Sequence, residues 1–209
     1  MGFYREQVLP RVTDAVLNRA DLRRIRDRAA AGLAGEVLEV GFGSGLNVPH
    51  YPPAVTRVLA VDPAQAGRRL AARRLAASPV PVEFAGTDGA QLPVADASVD
   101  HALVTWTLCT IPDPGRALAE ICRALRPGGL LHFAEHGRSP DPHVARWQDR
   151  LTPVQRRLAG GCHLNRAIDR LITDSGLRLT RLDTYYLNGP KTLGYTVEGR
   201  AAKTAATSS

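Results

Sequence analysis

Val37-Leu38-Glu39-Val40-Gly41-Phe42-Gly43-Ser44-Gly45 decides the fold of this chain. An apolar run interrupted only by Glu39 reads as a buried strand, and it runs straight into glycines at alternate positions. Glycines belong where backbone must pass close to a ligand or take φ > 0, because a Cβ would clash there. Working outward, Val58-Leu59-Ala60-Val61 is the next apolar run, and Asp62 closes it. An acid about 20 positions beyond a glycine turn can accept hydrogen bonds from a ribose diol. Together these features describe an adenosine-binding site at the carboxyl edge of a parallel sheet.

Spacing separates the candidate ligands. A dinucleotide fingerprint is G-x-G-x-x-G, but here the glycines fall at 41, 43 and 45, and Leu46 takes the place of the last one. No G-x-x-x-x-G-K-[ST] loop places a lysine for a triphosphate. G-x-G-x-G after an acid in the strand resembles the class I S-adenosylmethionine methyltransferases, and the resemblance runs from about residue 35 to 136. That ligand has no phosphate. Its methionine end carries an ammonium, a carboxylate and a sulfonium, which suits a turn of bare backbone beside a carboxylate.

Further segments follow in the family's order. Val82-Glu83-Phe84-Ala85-Gly86 reads as a third strand, and Thr87-Asp88-Gly89-Ala90-Gln91-Leu92-Pro93 resembles the family's GDAxxLP segment, with Thr87 for the usual glycine. Asp96 to Asp100 lead into a fourth strand, His101-Ala102-Leu103-Val104-Thr105. Asp113-Pro114 opens a helix expected from about 115 to 125, and Arg126-Pro127-Gly128-Gly129 ends it before the strand Leu130 to Glu135. The resemblance implies that Glu39, Gly41, Gly43 and Gly45 hold the methionine end, Asp62 the ribose, and Asp88 with Gly89 the adenine. Asn47, Pro63 and Thr105 complete the implied cofactor contacts.

Strands alternating with helical stretches argue an α/β fold with a parallel sheet and helices on both faces. The resemblance makes it Rossmann-like: a doubly wound, mostly parallel seven-stranded sheet whose last strand is antiparallel. Gly176 to Leu187 and Thr192 to Arg200 supply the two final strands. Residues 1–34 are expected to form an N-terminal helical segment over the active site, and 35–200 the methyltransferase domain, with an acceptor-side insert at about 137–175. The small, polar residues 201–209 read as a disordered tail.

The 209 residues carry a formal net charge of +7, which raises nucleic acid as a partner. The arginines, however, are spread along helices: Arg23, Arg24, Arg26 and Arg28 near the start, and Arg68, Arg69, Arg73 and Arg74 after Asp62. They read as solvated faces, with no aromatics interleaved to stack bases. Nucleic acid is therefore not an expected partner. Cysteines 109, 122 and 162 form neither a C-x-x-C pair nor an even disulfide framework, and a cytoplasmic location follows. None of the six histidines shows a metal spacing, so no metal is expected. The start of the chain lacks a signal-peptide h-region and a myristoylation signal, and no apolar run is long enough to span a membrane.

The acceptor pocket is expected above strands four and five. Trp106, Thr107 and Cys109 lie in the loop after Thr105. Trp106 suits core packing, a lid over the sulfonium or acceptor contact. Cys109 suits a small buried hydrophobe better than a nucleophile, because direct methyl transfer needs no covalent intermediate. His136, at the carboxyl end of strand five, is a candidate general base or a structural group. His163 and Asn165 fall in a loop where His163 can line the pocket or hydrogen-bond the loop, and Asn165 can cap a helix from Arg166 to Ser175.

A closer resemblance joins Leu46-Asn47-Val48-Pro49-His50-Tyr51-Pro52-Pro53, Leu108-Cys109-Thr110, Glu135-His136, Gly161-Cys162-His163-Leu164-Asn165-Arg166 and Gly194-Tyr195-Thr196-Val197. Together these resemble the methyltransferase-like thiol methyltransferases, and bacterial lipid and quinone methyltransferases share much of the signature. The resemblance implies transfer of a methyl from S-adenosylmethionine to a small-molecule nucleophile by direct displacement, leaving S-adenosylhomocysteine. A thiol is the favoured acceptor. The alternatives are a nucleic-acid methyltransferase and a non-catalytic S-adenosylmethionine-binding protein. Against the first, Thr105-Trp106-Thr107-Leu108 stands where base-amine enzymes carry an Asn/Asp-Pro-Pro-aromatic grip. Oligomeric state is not legible in the sequence.

Overall fold

The computed structural model describes residues 4–204. A seven-stranded sheet in the order β3-β2-β1-β4-β5-β7-β6 forms its centre. The strands are β1 (Gly35–Val40), β2 (Val55–Val61), β3 (Val82–Gly86), β4 (Val99–Thr105), β5 (Leu125–His136), β6 (Leu177–Tyr186) and β7 (Tyr195–Lys203). All pairings are parallel except those of β7, which runs antiparallel to both β5 and β6. The Rossmann-like, doubly wound architecture expected from the sequence is the one observed.

Strand alternation splits the core across the two faces of the sheet. Leu38 and Val40 of β1, with Ala102 and Val104 of β4, pack with α4 (Pro114–Ala124) and α6 (Ile168–Asp174). Val37 and Leu103 point the other way, toward α2 (Ala20–Ala30) and α3 (Gln65–Ala76). Helix α4 forms where Asp113 accepts the Arg116 N–H at 2.9 Å and Pro114 pre-sets the first turn. Its residues Ala117, Leu118, Ile121 and Ala124 then make one buried face.

The ends of the chain depart from expectation. A helical turn, α7 (Lys191–Gly194), replaces the start of the expected last strand, which instead runs on to Lys203. Ala201 is fully buried opposite Leu131, and Lys203 Nζ donates to the Arg123 and Leu125 carbonyls at 3.1 and 2.6 Å. Small alanines lack strand propensity, but a sheet position beside β5 overrides it. The expected tail thus loses its first residues to β7, and 205–209 lie outside the described residues. The N-terminal segment does form helices, α1 (Leu9–Leu17) followed by α2.

Candidate active site at the switch point

Strand order reverses between β1 and β4, and ligands of open α/β sheets bind in the crevice at the carboxyl ends of strands there. The turn after β1 is one wall. Gly41, Gly43 and Gly45 all take positive φ, at 82°, 55° and 72°. A Cβ on Gly41 would run into the Thr107 side chain, whereas one on Gly43 would meet nothing nearer than the Gly41 carbonyl at 3.9 Å. Gly43 borders open space. Behind the turn, a Cβ on Gly67 of α3 would lie 2.6 Å from the Gly43 carbonyl oxygen. Sequence reading misses Gly67. Its signal is a lone glycine inside a helix, which costs stability unless close packing demands it.

Asp62 ends β2 and accepts the N–H groups of Gly43 and Ala64, both at 2.7 Å. Burial raises its pKa against those two bonds. Each oxygen keeps a second lone pair for a diol, and Pro63 lies exposed beside it. Asp88 is exposed and accepts the Ala90 N–H at 2.8 Å. Gly89 is buried, and a Cβ there would come within 2.8 Å of Val40 and Ile111 side-chain carbons. The chain after β3 is thereby pressed against the end of β1.

Glu39 is buried beneath the turn, its carboxylate accepting the Tyr51 hydroxyl and, at 3.0 Å, the Asn47 amide. Asn47 also donates to Thr105 Oγ1 at 3.0 Å and accepts from Arg26 at 2.8 Å. Arg26 reaches Thr105 as well, at 3.0 Å, and its guanidinium sits 4.7 Å from the Trp106 ring centroid. The structure therefore gathers Glu39, Asn47 and Thr105 into one network and adds Tyr51 and Arg26. The reading of Arg26 as a solvated charge is wrong: it is 3% exposed, and its Nε has no partner among the described residues. Its signal was position, since Leu22, Ile25, Arg26 and Ala29 share the buried face of α2. Burial holds Glu39 up at about 7 despite Tyr51, Asn47 and Arg26, and holds Arg26 down at about 10 despite Glu39.

The loop after β4 is the facing wall. Trp106 has φ 50° and Thr107 starts a helical turn, with the Thr110 and Ile111 N–H groups both on its carbonyl at 2.8 Å. Glu135, wholly buried at the end of β5, accepts the N–H groups of Thr107, Leu108 and Cys109 at 2.7, 2.9 and 3.1 Å. At the other end, Arg166 donates to the carbonyls of Leu108 and Ile111. An anion at the amino end and a cation at the carboxyl end match the dipole of the turn. Burial holds the Glu135 carboxyl up at about 7 against its three N–H partners. Sequence reading used Glu135 and Arg166 only as parts of motifs.

The insert closes this side through α5 (Pro142–Leu158) and the loop that follows. His163 donates its backbone N–H to the Cys109 carbonyl at 2.7 Å, with Nδ1 3.3 Å from the same oxygen. Asn165 does not cap a helix: its amide donates to Asp149 at 2.8 Å, and α6 starts later, at Ile168, with no side-chain cap. His136 meets the Leu193 carbonyl through Nε2 and faces Cys162 Sγ at 3.7 Å through Nδ1. Cys109 and Cys162 are both buried, with Leu164. Trp147, Leu151, Val154 and Leu158 form an exposed row on α5, and Val12 and Val16 are exposed on α1. No helix among the described residues is long and apolar enough to cross a membrane.

A family model described as a methyltransferase domain matches residues 38–133. Over 184 residues the chain is 34% identical to thiol S-methyltransferase TMT1A of Homo sapiens, a match covering 80% of this chain and 73% of that relative. The chain belongs to the class I S-adenosylmethionine-dependent methyltransferases. This methyltransferase is also 34% identical over 149 residues to thiol S-methyltransferase TMT1B of Rattus norvegicus, spanning 68% of this chain but only 60% of that relative's length. In fold it is similar to a Bacillus halodurans protein provisionally named a methyltransferase, with TM-score 0.73 and 18% identity over 90% of this chain and all of that one. S-adenosylmethionine is the cofactor of that family.

Proposed function

We propose that this methyltransferase moves the sulfonium methyl of S-adenosylmethionine to a small-molecule thiol by in-line displacement. The observation that carries the reading is the buried pair of opposite charges at the crevice, Glu39 and Arg26, linked through Asn47. The methionine end of the cofactor is a zwitterion, and a desolvated acid beside a desolvated guanidinium, whose Nε–H has no partner among the described residues, complements it. Gly43 leaves room for that end, Asp62 offers lone pairs to the ribose, and Asp88 with Gly89 bounds the adenine side.

A thiol acceptor is supported by the names of the relatives and by chemistry. Thiols with pKa near 8.5 are partly ionised at neutral pH, so the site needs no strong base. Acceleration comes from holding nucleophile, methyl carbon and departing sulfur collinear, which can supply roughly 7–11 kcal/mol. The departing sulfur becomes neutral, so a pocket of low polarity does not oppose the step. One observation favours a second reading, an apolar lipid or quinone acceptor: the exposed apolar row on α5. Labelled cofactor incubated with a panel of thiols, phenols, amines and quinols separates the two. Label in thioethers supports the first reading, and label only in quinols or lipids replaces it.

A further inference from the structure

Two thiols and an imidazole that cofactor binding does not use converge on the acceptor side. One ligand atom each from Cys109, Cys162 and His136 lies within 4.8 Å of the others. They come from three separate elements: the turn after β4, the loop after α5, and the end of β5. Each is oriented by a neighbour. A carbonyl can only accept, so His136 must donate Nε2–H to Leu193, which leaves the Nδ1 lone pair aimed at Cys162 Sγ, 3.7 Å away. In a tetrahedral zinc site with bonds of about 2.3 Å to sulfur and 2.0–2.1 Å to nitrogen, that separation is about 3.5 Å. The Cys109 backbone is fixed by Glu135, which takes its N–H, and by His163, which occupies its carbonyl. Among Cys109's side-chain contacts is Thr110 Oγ1, at 3.5 Å from its Sγ.

We infer that Cys109, His136 and Cys162 form a three-ligand site for a thiophilic divalent cation of the zinc class, whose fourth position takes the acceptor sulfur. Three protein ligands with one open position is the arrangement of catalytic rather than structural zinc. The Leu193 carbonyl behind His136 supplies the outer-shell contact that sets tautomer and ring direction. Cys109 lies four residues beyond Thr105, whose hydroxyl belongs to the Arg26–Asn47 network, so one loop joins the cation site to the cofactor crevice. On coordination the acceptor thiol gives its proton to solvent. Its sulfur then forms a bond to the methyl carbon, and the sulfonium S–C bond breaks with its electron pair staying on the departing sulfur. This role rests on the thiol reading above and gives the acceptor side its chemistry.

The test uses the 209-residue chain, reduced and stripped with chelator, titrated with cobalt(II). One equivalent should bind, with thiolate-to-cobalt charge transfer and tetrahedral d–d absorption. Adding 2-mercaptoethanol should shift the d–d bands as a fourth sulfur enters. Cys109→Ser, Cys162→Ser and His136→Gln should each weaken binding by at least about tenfold, whereas Cys122→Ser, on α4, should leave it unchanged. Thermal stabilisation by S-adenosylhomocysteine confirms that each variant is folded. The inference is overturned if the wild-type chain shows no thiolate charge transfer, or if the band survives in both Cys109→Ser and Cys162→Ser. Metal-free enzyme methylating thiols at the undiminished kcat/KM also overturns it, and leaves the thiol reading standing. Cobalt bound as described, with no thiol methylated, keeps the cation site and removes that reading instead.

Discussion

The two walls of the crevice are built in opposite ways. On the wall formed by the glycine turn, the strand, the turn and the acid at the next strand end lie close in sequence. Missing atoms matter most there, at Gly43 facing open space and Gly67 against its carbonyl. On the facing wall, a short turn is held by side chains from remote segments, with Glu135 on its N–H groups and Arg166 on its carbonyls. One wall is specified by what is left out, the other by what reaches in. Adding atoms should therefore damage the first, and removing them the second.

Gly43→Val should have the largest effect. The side chain fills ligand space, and a non-glycine residue at φ 55° costs on the order of 1–2 kcal/mol besides. Calorimetry should detect no S-adenosylhomocysteine binding to a chain that remains folded, and normal affinity would place the cofactor elsewhere. Glu135→Ala tests the other wall. Three N–H groups lose their acceptor at once, so urea unfolding should show a loss of about 3 kcal/mol or more. A variant as stable as wild type would mean that the turn holds itself.

Asp62→Ala should weaken S-adenosylhomocysteine by roughly 1.5–3 kcal/mol through lost charged hydrogen bonds. Because Asp62 also holds Gly43, Asp62→Asn should recover part of the loss, and unchanged affinity in the alanine variant would exclude a ribose role. The smallest effect concerns pH. Glu39 titrates near 7 in the fold against 4.5 ordinarily, so between those values the unfolded chain sheds a proton that the folded chain keeps. Stability falls as pH rises through that window, at most by ~1.4 kcal/mol per pKa unit. Glu39→Gln should make the fall of Tm from pH 5 to 7 shallower in the ligand-free protein, the rest of the slope coming from Glu135, which burial also holds up at about 7. An unaltered slope would show that burial does not govern Glu39.

Legibility followed the same division. The glycine turn, the acids at the ends of strands and the succession of strands along the chain could be read because short-range spacing carries them. The parallel sheet with helices on both faces followed from alternation of apolar runs with helical stretches, and its doubly wound, seven-stranded form from the family resemblance. Arg26 could not be read as buried until α2 was seen to turn that face inward, because charge alone suggests solvent. Glu135, Arg166 and the meeting of Cys109, His136 and Cys162 depend on long-range placement that no local pattern encodes. Asn165 shows the converse: a good capping residue was drawn to Asp149, and the helix began without it. Ala201 to Lys203 joined a strand for the same reason, since a vacant place beside β5 outweighs propensity.

Trp106 holds its φ of 50° while its indole lies over the Arg26 guanidinium. A glycine there would relax the backbone and at the same stroke remove the aromatic plate from the cation, so two changes of opposite sign would arise from one substitution. Thermal denaturation and ligand affinity can then move independently at this residue. A screen that ranks variants by melting temperature would pass over the position where the two walls meet.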